Sequence, residues 1–314
     1  YFIPVLDALG LHQEPPGGRE FVDREAGKLV TRPMLLDMVP TYREYNPEIQ
    51  STTPMVSVFF PVINAIDSID ESINSVLNQS YRDFDIVICD FGSTDGTKEH
   101  LTEVYGDNSR IKILKKENIG AGAASNICIQ NASGMYLLQL EIGDKLESNA
   151  IENLLSVIDS DPSHSCVYGN GSDDDSSFSE FNRIDLLTQM VVEKPRLFRK
   201  RDWSRVNGFS EEYHLAYNHD FFQKLNGIGE IVQVGSRLCS SSIQTVNSNL
   251  SDFNQELDET KRIVEKALAR QGLLEWGVQK RNFLTGKIGI TLTKKGNPLT
   301  SQGPFLSVVI ITRN

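Results

Sequence analysis

The sequence predicts an α/β fold, a mostly parallel sheet flanked by helices. Three observations predict it. Short apolar runs that suit buried strands recur between residues 55 and 140. Helical stretches separate them. Polar and acidic residues gather where the runs end, at Pro61–Asn64, Asp90–Asp95 and Glu141–Asp144. Strands alternating with helices imply right-handed crossovers, and ligands in such sheets sit beyond the carboxyl ends of the strands.

The elements follow in order. Residues 55–62, MVSVFFPV, form the first strand. Ser68 and Glu71 make a capping box, after which Ile69, Ile73, Val76 and Leu77 fall on one helical face. Residues 84–90, FDIVICD, form the second strand. A turn with Gly92 and Gly96 leads into a polar helix that runs to about Tyr105. Residues 111–115 are the third strand, and a Gly/Ala-rich helix then leads to Gly134. Residues 135–140, MYLLQL, are the fourth strand. Ser148 caps a helix whose face is Ile151, Leu154, Leu155 and Ile158. Residues 170–182 read as a mobile acidic loop. Residues 255–271 form a late helix with Gly272 as its stop.

The flanks are less periodic. Residues 11–54 are rich in Pro, Gly and charge and read as a linker on a surface. Residues 305–314, FLSVVIITRN, repeat the character of residues 55–64, which suggests that a second large module begins there. The expected division is 1–54 as the tail of an upstream domain plus linker, 55–272 as the central module, and 273–314 as an extension. Neither flank is expected to form a domain by itself.

The chain has 314 residues and a formal net charge of −11, which excludes a general nucleic-acid binder because phosphates need a basic footprint. No apolar run is long enough to span a bilayer. Cys89, Cys128, Cys166 and Cys239 lack metal-type spacing and read as reduced, buried thiols of a cytoplasmic protein.

Four stretches carry a resemblance: residues 61–81 (PVINAIDSIDESINSVLNQSY), 84–97 (DFDIVICDFGSTDGT with Asp83), 117–126 (ENIGAGAASN) and 134–152. They resemble, in order and spacing, the inverting family 2 glycosyltransferases of the Rossmann-like GT-A fold. The likeness covers Met55 to about Leu250 and is nearest to the second domain of soluble two-domain bacterial polymerases that make chondroitin or hyaluronan. The resemblance implies a UDP-sugar donor, an oligosaccharide or polysaccharide acceptor, and neighbouring transferase domains of the same chain. Glucuronic acid is the sugar it points to. It also implies a cytoplasmic site of action, or a peripheral one at the inner face of the membrane.

Site residues carry over position by position. Asp90 matches an acid that accepts from uracil, where the usual second acid is Phe91; the turn chemistry of Gly92–Asp95 is the competing explanation, with Asp95 as a helix cap. Pro61 and Asn64 line the same rim. Asn118 and Gly120 open a Gly-rich stretch whose small residues let a ligand approach a helix start, or let helix and sheet pack closely. Glu141 matches the first acid of an Asp-x-Asp motif, Gly143 stands where its second acid belongs, and Asp144 matches the acid that follows. A divalent metal, Mn or Mg, is therefore expected to rest on Asp144 and to be held weakly or not at all.

Asp220 matches the general base that deprotonates the acceptor hydroxyl, with Asn218 where a preceding acid is usual. The alternative is that Asp220 caps a helix over residues 221–225. Thr245 occupies the place of a late metal-binding His, and His12 matches that His of an upstream domain. Trp203 and Phe209 are either acceptor surface or core. Two functions stay open. One is an active transferase; the other is a degenerate module that binds nucleotide or glycan and scaffolds its neighbours.

Overall fold

A computed structural model describes residues 11–13, 21–23, 29–30, 54–170, 181–188, 190–241, 250–270, 272–274, 276–282 and 288–294. The chain divides into two compact units, Tyr1–Thr52 and Thr53–Asn314. In the first, β1 (Leu11–Gln13), β2 (Phe21–Asp23) and β3 (Leu29–Val30) pair antiparallel in that order. The linker reading missed this small sheet, because strands of two or three residues leave no periodicity to detect.

The second unit is built on a seven-stranded sheet. It contains β4 (Val56–Val62), β5 (Phe84–Asp90), β6 (Ile111–Lys115), β7 (Tyr136–Gln139), β9 (His164–Asn170), β10 (Arg196–Arg199) and β11 (Glu230–Arg237), in the order β11-β9-β10-β7-β4-β5-β6. The run β7-β4-β5-β6 is parallel, whereas β10 runs antiparallel to both β7 and β9. The four anticipated strands lie within a residue of their expected ends. The first three crossovers are the helices α1 (Ile69–Leu77), α2 (Thr97–Tyr105) and α3 (Ala121–Asn131). A short β8 (Asp144–Leu146) follows β7 and pairs with β12 (Cys239–Ser241). Then come α4 (Ala150–Ser160), α5 (Arg183–Thr188), α6 (Lys200–Arg205) and α7 (Tyr217–Asn226).

Strand alternation builds two cores. Val58, Phe60 and Val62 of β4 join Ile86, Ile88 and Leu138 on the face covered by α1, α2 and α4. Phe59 points the other way, with Val87, Cys89, Leu137 and Phe198, against α3 and the Phe221–Phe222 pair of α7. Each such side chain contributes roughly 1.5–3 kcal/mol by leaving water. All four cysteines are free and buried.

Details of the caps differ from expectation. Ser68 is at the N-cap of α1 but makes no side-chain cap bond; the Ser68 and Ile69 amides donate instead to Ala65 O. Asn149, not Ser148, is the N-cap of α4. The long α8 (Leu250–Arg270) begins five residues earlier than its apolar pattern suggested and ends before Gly272, whose φ of 73° is left-handed as a helix stop requires. The hairpin β13–β14 (Trp276–Asn282, Ile288–Lys294) shares one apolar cluster with α8: Val278, Ile290 and Leu292 meet Leu257, Val264 and Leu268. Glu259 of α8 accepts from the His214, Leu215 and Ala216 amides and so fixes the start of α7. No helix among the described residues is long and apolar enough to cross a membrane. Most of the acidic loop (171–180), Thr245 and residues 305–314 lie outside the described residues.

Candidate functional site

The carboxyl ends of β4, β5 and β7 form one rim, and its first half is held by side-chain and backbone hydrogen bonds without a cation among the described residues. The Asn64 amide donates to Ser93 Oγ (2.9 Å), and the Thr94 amide donates back to Asn64 Oδ1 (2.8 Å). Asn64 has φ 49°, a conformation Asn tolerates better than most residues. Pro61 sits in the β4 register opposite Cys89. Asp95 accepts from the Ile66 amide and from both the amide and hydroxyl of Thr97. Those bonds tie the β4–α1 loop to the start of α2, so Asp95 is a structural clamp there.

Asp90 ends β5 and is 1% exposed. One oxygen, Oδ1, accepts from the Gly92 and Ser93 amides, both at 3.1 Å. The other, Oδ2, is buried with no hydrogen-bond partner among the described residues. A buried acceptor without a donor is costly unless something supplies one. Asn118, with φ 57°, and Gly120, the N-cap of α3, stand at the neighbouring helix start. A Cβ at Gly120 would meet His214 Nδ1 only at 3.6 Å, whereas at Gly122 it would lie 2.9 Å from Ser210 O. Gly122 is therefore a packing glycine, and Gly120 keeps an accessible backbone.

The second half of the rim is built differently. Gly143 has φ 86°, a left-handed turn between β7 and β8, and its amide donates to Ser72 Oγ of α1. Ser75, one turn later, accepts from the Leu146 amide. This turn sets Glu141 and Asp144 side by side, and two cations meet them. Lys194 Nζ lies 3.2 Å from Glu141 Oε2 and 2.9 Å from Asp144 Oδ1. Arg196 NH1 lies 2.9 Å from Glu141 Oε1. The antiparallel register of β10 on β7 places Arg196 opposite Gln139. Gln139 in turn donates to Asn218 Oδ1 at 2.9 Å. A polar ladder thus runs from Asn218 through Gln139, Arg196, Glu141 and Lys194 to Asp144.

The electrostatics follow from that ladder. Burial would raise the Glu141 pKa, but Arg196 and then Lys194 outweigh it and hold the carboxyl below its ordinary value. Burial would lower the Lys194 pKa, and Glu141 and Asp144 overcome it, so the ammonium is held above its usual range. The Cys239 thiol is pushed up to about 12, by burial first and then by Asp144.

A divalent metal does not fit this donor set. Gly143 brings no side-chain oxygen. Asp144 is 0% exposed and already bound by Lys194. No three His, Cys, Asp or Glu side chains among the described residues converge to hold a metal. The expected ligand is present, but an ammonium occupies its coordinating oxygens.

Asp220 also departs from its expected setting. Helix α7 starts at Tyr217, so Asp220 lies a full turn inside it rather than capping residues 221–225. Its carboxylate is 4% exposed and pairs with Lys224 at 2.8 Å, and that ammonium also donates to Gly208 O. Among the described residues Asp220 makes no hydrogen bond or ion pair to Glu141, Asp144, Lys194 or Arg196. The side chain of α7 that hydrogen-bonds to the ladder is Asn218, an amide, while Phe222 packs its ring on Arg196. Phe209 belongs to the core, 4.0 Å between ring centroids from Phe221, and Trp203 is half-buried with its Nε1–H on Asn126. Phe209 is thus covered by the core, while Trp203 packs against the same cluster and stays partly exposed.

Residues 57–224 match the family model described as Glycosyl transferase family 2. The chain is 32% identical to a hyaluronan synthase of Pasteurella multocida over 286 residues, 87% of this chain and 29% of that protein. It is 30% identical to a chondroitin synthase of Escherichia coli over 289 residues, 88% of this chain and 42% of that one. The chain thus spans well under half the length of these relatives. Among solved structures, Staphylococcus aureus TarS 1–349 in complex with UDP-GlcNAc aligns over 70% of this chain and 73% of its own, with a TM-score of 0.54 at 16% identity. The mannosyltransferase PcManGT from Pyrobaculum calidifontis, in complex with GDP-Man and Mn2+, aligns over 71% and 76% with a TM-score of 0.51 at 15% identity. At those identities the likeness is one of fold, and that fold is GT-A.

Proposed function

This chain belongs to glycosyl transferase family 2, and on that premise we propose that its rim holds a UDP-sugar for the building of a polysaccharide. The observation that carries this reading is Asp90, a buried carboxylate at the end of β5 with one oxygen lacking a donor. A uracil imide N–H is a donor of the right kind. Asn64, Pro61, Asn118 and Gly120 would frame the nucleoside, and Glu141 the ribose or sugar. The relatives named as hyaluronan and chondroitin synthases support a polysaccharide acceptor, and the TarS complex supports a UDP-sugar donor. Neighbouring transferase domains and a cytoplasmic place of action belong to the same proposal, as does the division into 1–54, 55–272 and 273–314.

In the first form of this reading the module moves glucuronic acid with inversion. The acceptor hydroxyl oxygen bonds to the anomeric carbon as the bond to UDP breaks, and the Asp220 carboxylate takes the hydroxyl proton. Asp220 must leave Lys224 to do so. In the second form the donor is held and not used, and the module scaffolds its neighbours. A specific observation favours the second form: the α7 side chain that hydrogen-bonds to the ladder is Asn218, which cannot accept the proton, while Asp220 is locked to Lys224. Incubation with UDP-glucuronic acid and a chondroitin or hyaluronan oligosaccharide separates the forms. Elongated product with an inverted anomeric centre supports the first. Tight UDP binding with no elongation supports the second. Absence of UDP binding would end the proposal in both forms.

A further inference from the structure

We propose that Lys194, backed by Arg196, takes the place of a divalent cation in this site and binds the donor diphosphate directly, so that nucleotide binding needs no metal. The inference rests on the reading of the rim as a UDP-sugar site. A divalent ion between Glu141 and Asp144 would bring two positive charges to two carboxylates. Lys194 and Arg196 bring the same two charges to the same two carboxylates. The cluster is neutral before any metal arrives, so a metal would first have to displace an ammonium from the fully buried Asp144. Such a displacement opposes binding, because a desolvated ion pair is hard to break one partner at a time.

The geometry leaves Lys194 fit for a ligand. Its Nζ lies 3.2 Å from Glu141 Oε2 and 2.9 Å from each oxygen of Asp144, so a phosphate oxygen would share the ammonium with these carboxylates. Its side chain is 24% exposed, the most open of the cations against these acids, while Arg196 is 7% exposed and fixed from behind by Val192 O and the Phe222 ring. Lys194 therefore is the cation a ligand can reach, just before β10 and beside the carboxyl end of β7, where the sheet puts its ligands. Arg196 positions Glu141, and Lys194 is the group that touches the phosphate. The place of Lys194 also explains why Gly143 is tolerated. A carboxylate there would add a third negative charge to a site that already has its two cations.

Calorimetry on the whole chain tests this, with UDP and uridine as ligands, in chelator and in Mn2+. The wild type is expected to bind UDP with affinities that agree within about twofold in the two conditions. Lys194→Ala should lose about tenfold or more in UDP affinity in chelator and keep its affinity for uridine. Added Mn2+ should then restore UDP binding to Lys194→Ala, because Glu141 and Asp144 are released. Lys194→Arg should stay metal-independent, which keeps the test valid if the alanine variant does not fold. The inference fails if wild-type UDP binding vanishes in chelator and returns with Mn2+. It also fails if UDP binds Lys194→Ala as tightly as wild type. If neither uridine nor UDP binds the wild type, the nucleotide-site reading fails first.

Discussion

The two halves of the rim differ in how they satisfy their charges. At the β4–β5 half, loops are stitched by amides and hydroxyls, the carboxylates Asp95 and Asp90 accept from such neutral donors, and Asp90 keeps one buried oxygen without a donor. At the β7–β10 half, every carboxylate of the ladder meets a cation: Glu141 has Arg196 and Lys194, and Asp144 shares Lys194. Asp220 on α7 has Lys224. On the proposed reading the first half receives a donor group from outside. The second has closed its electrostatics from within. On that reading, a module can retain the nucleotide end of a glycosyltransferase site while its metal and base positions change character.

The largest effect should come from breaking the closed half. Arg196→Ala leaves Glu141 half-buried beside a single cation and removes the cation over Phe222. A loss of about 3–5 kcal/mol in unfolding free energy is expected, measured by denaturant titration. A loss below about 1 kcal/mol would mean the pair is solvated and the contrast between the halves is overstated. Next in size is Asp220→Asn. If the Lys224 pair is structural, stability should fall by about 3 kcal/mol while UDP affinity stays unchanged. Unchanged stability with lost transfer activity would instead mark Asp220 as a working base.

At the open half the expected effect is on binding. Asp90→Asn retains an oxygen for the Gly92 and Ser93 amides and replaces the free acceptor with an amide donor. UDP affinity should drop by about tenfold, roughly 1.4 kcal/mol, with little change in melting temperature. Equal affinity would remove Asp90 from the nucleotide site.

The smallest effect concerns pH. His219 is buried, and burial lowers its pKa despite its bond to Leu186 O and the nearby Asp220 charge. A group with a depressed folded pKa contributes stability that is present above its unfolded value, about 6.5, and is lost as pH falls through the folded value. The melting temperature should therefore decline from about pH 7.5 to about pH 5.5, and His219→Gln should flatten that decline. An identical slope in the variant would assign the acid sensitivity to other groups.

Much of the rim was legible in the sequence, because its parallel strands are continuous apolar runs and its ligand-side residues follow them directly. Asp90, Glu141 and Asp144 could be placed from strand ends alone. Lys194 and Arg196 could not. They reach the site through β10, a four-residue antiparallel strand inserted between β7 and β9, and nothing local in the sequence names its partners. The choice between Asn218 and Asp220 was hidden for a related reason. It depends on where α7 begins, and that start is fixed by Glu259 from a helix about forty residues later. The lysine four residues after Asp220 was the available signal, since an i, i+4 pair on a helix brings the two charges together.

The most direct test of the central claim is a crystal structure of the chain grown with UDP and Mn2+, with anomalous data collected for manganese. The account predicts uracil against Asp90, Lys194 Nζ within hydrogen-bond distance of a diphosphate oxygen, and no manganese peak between Asp144 and the diphosphate. A manganese ion coordinated by Asp144, with Lys194 displaced and the uracil away from Asp90, would contradict it.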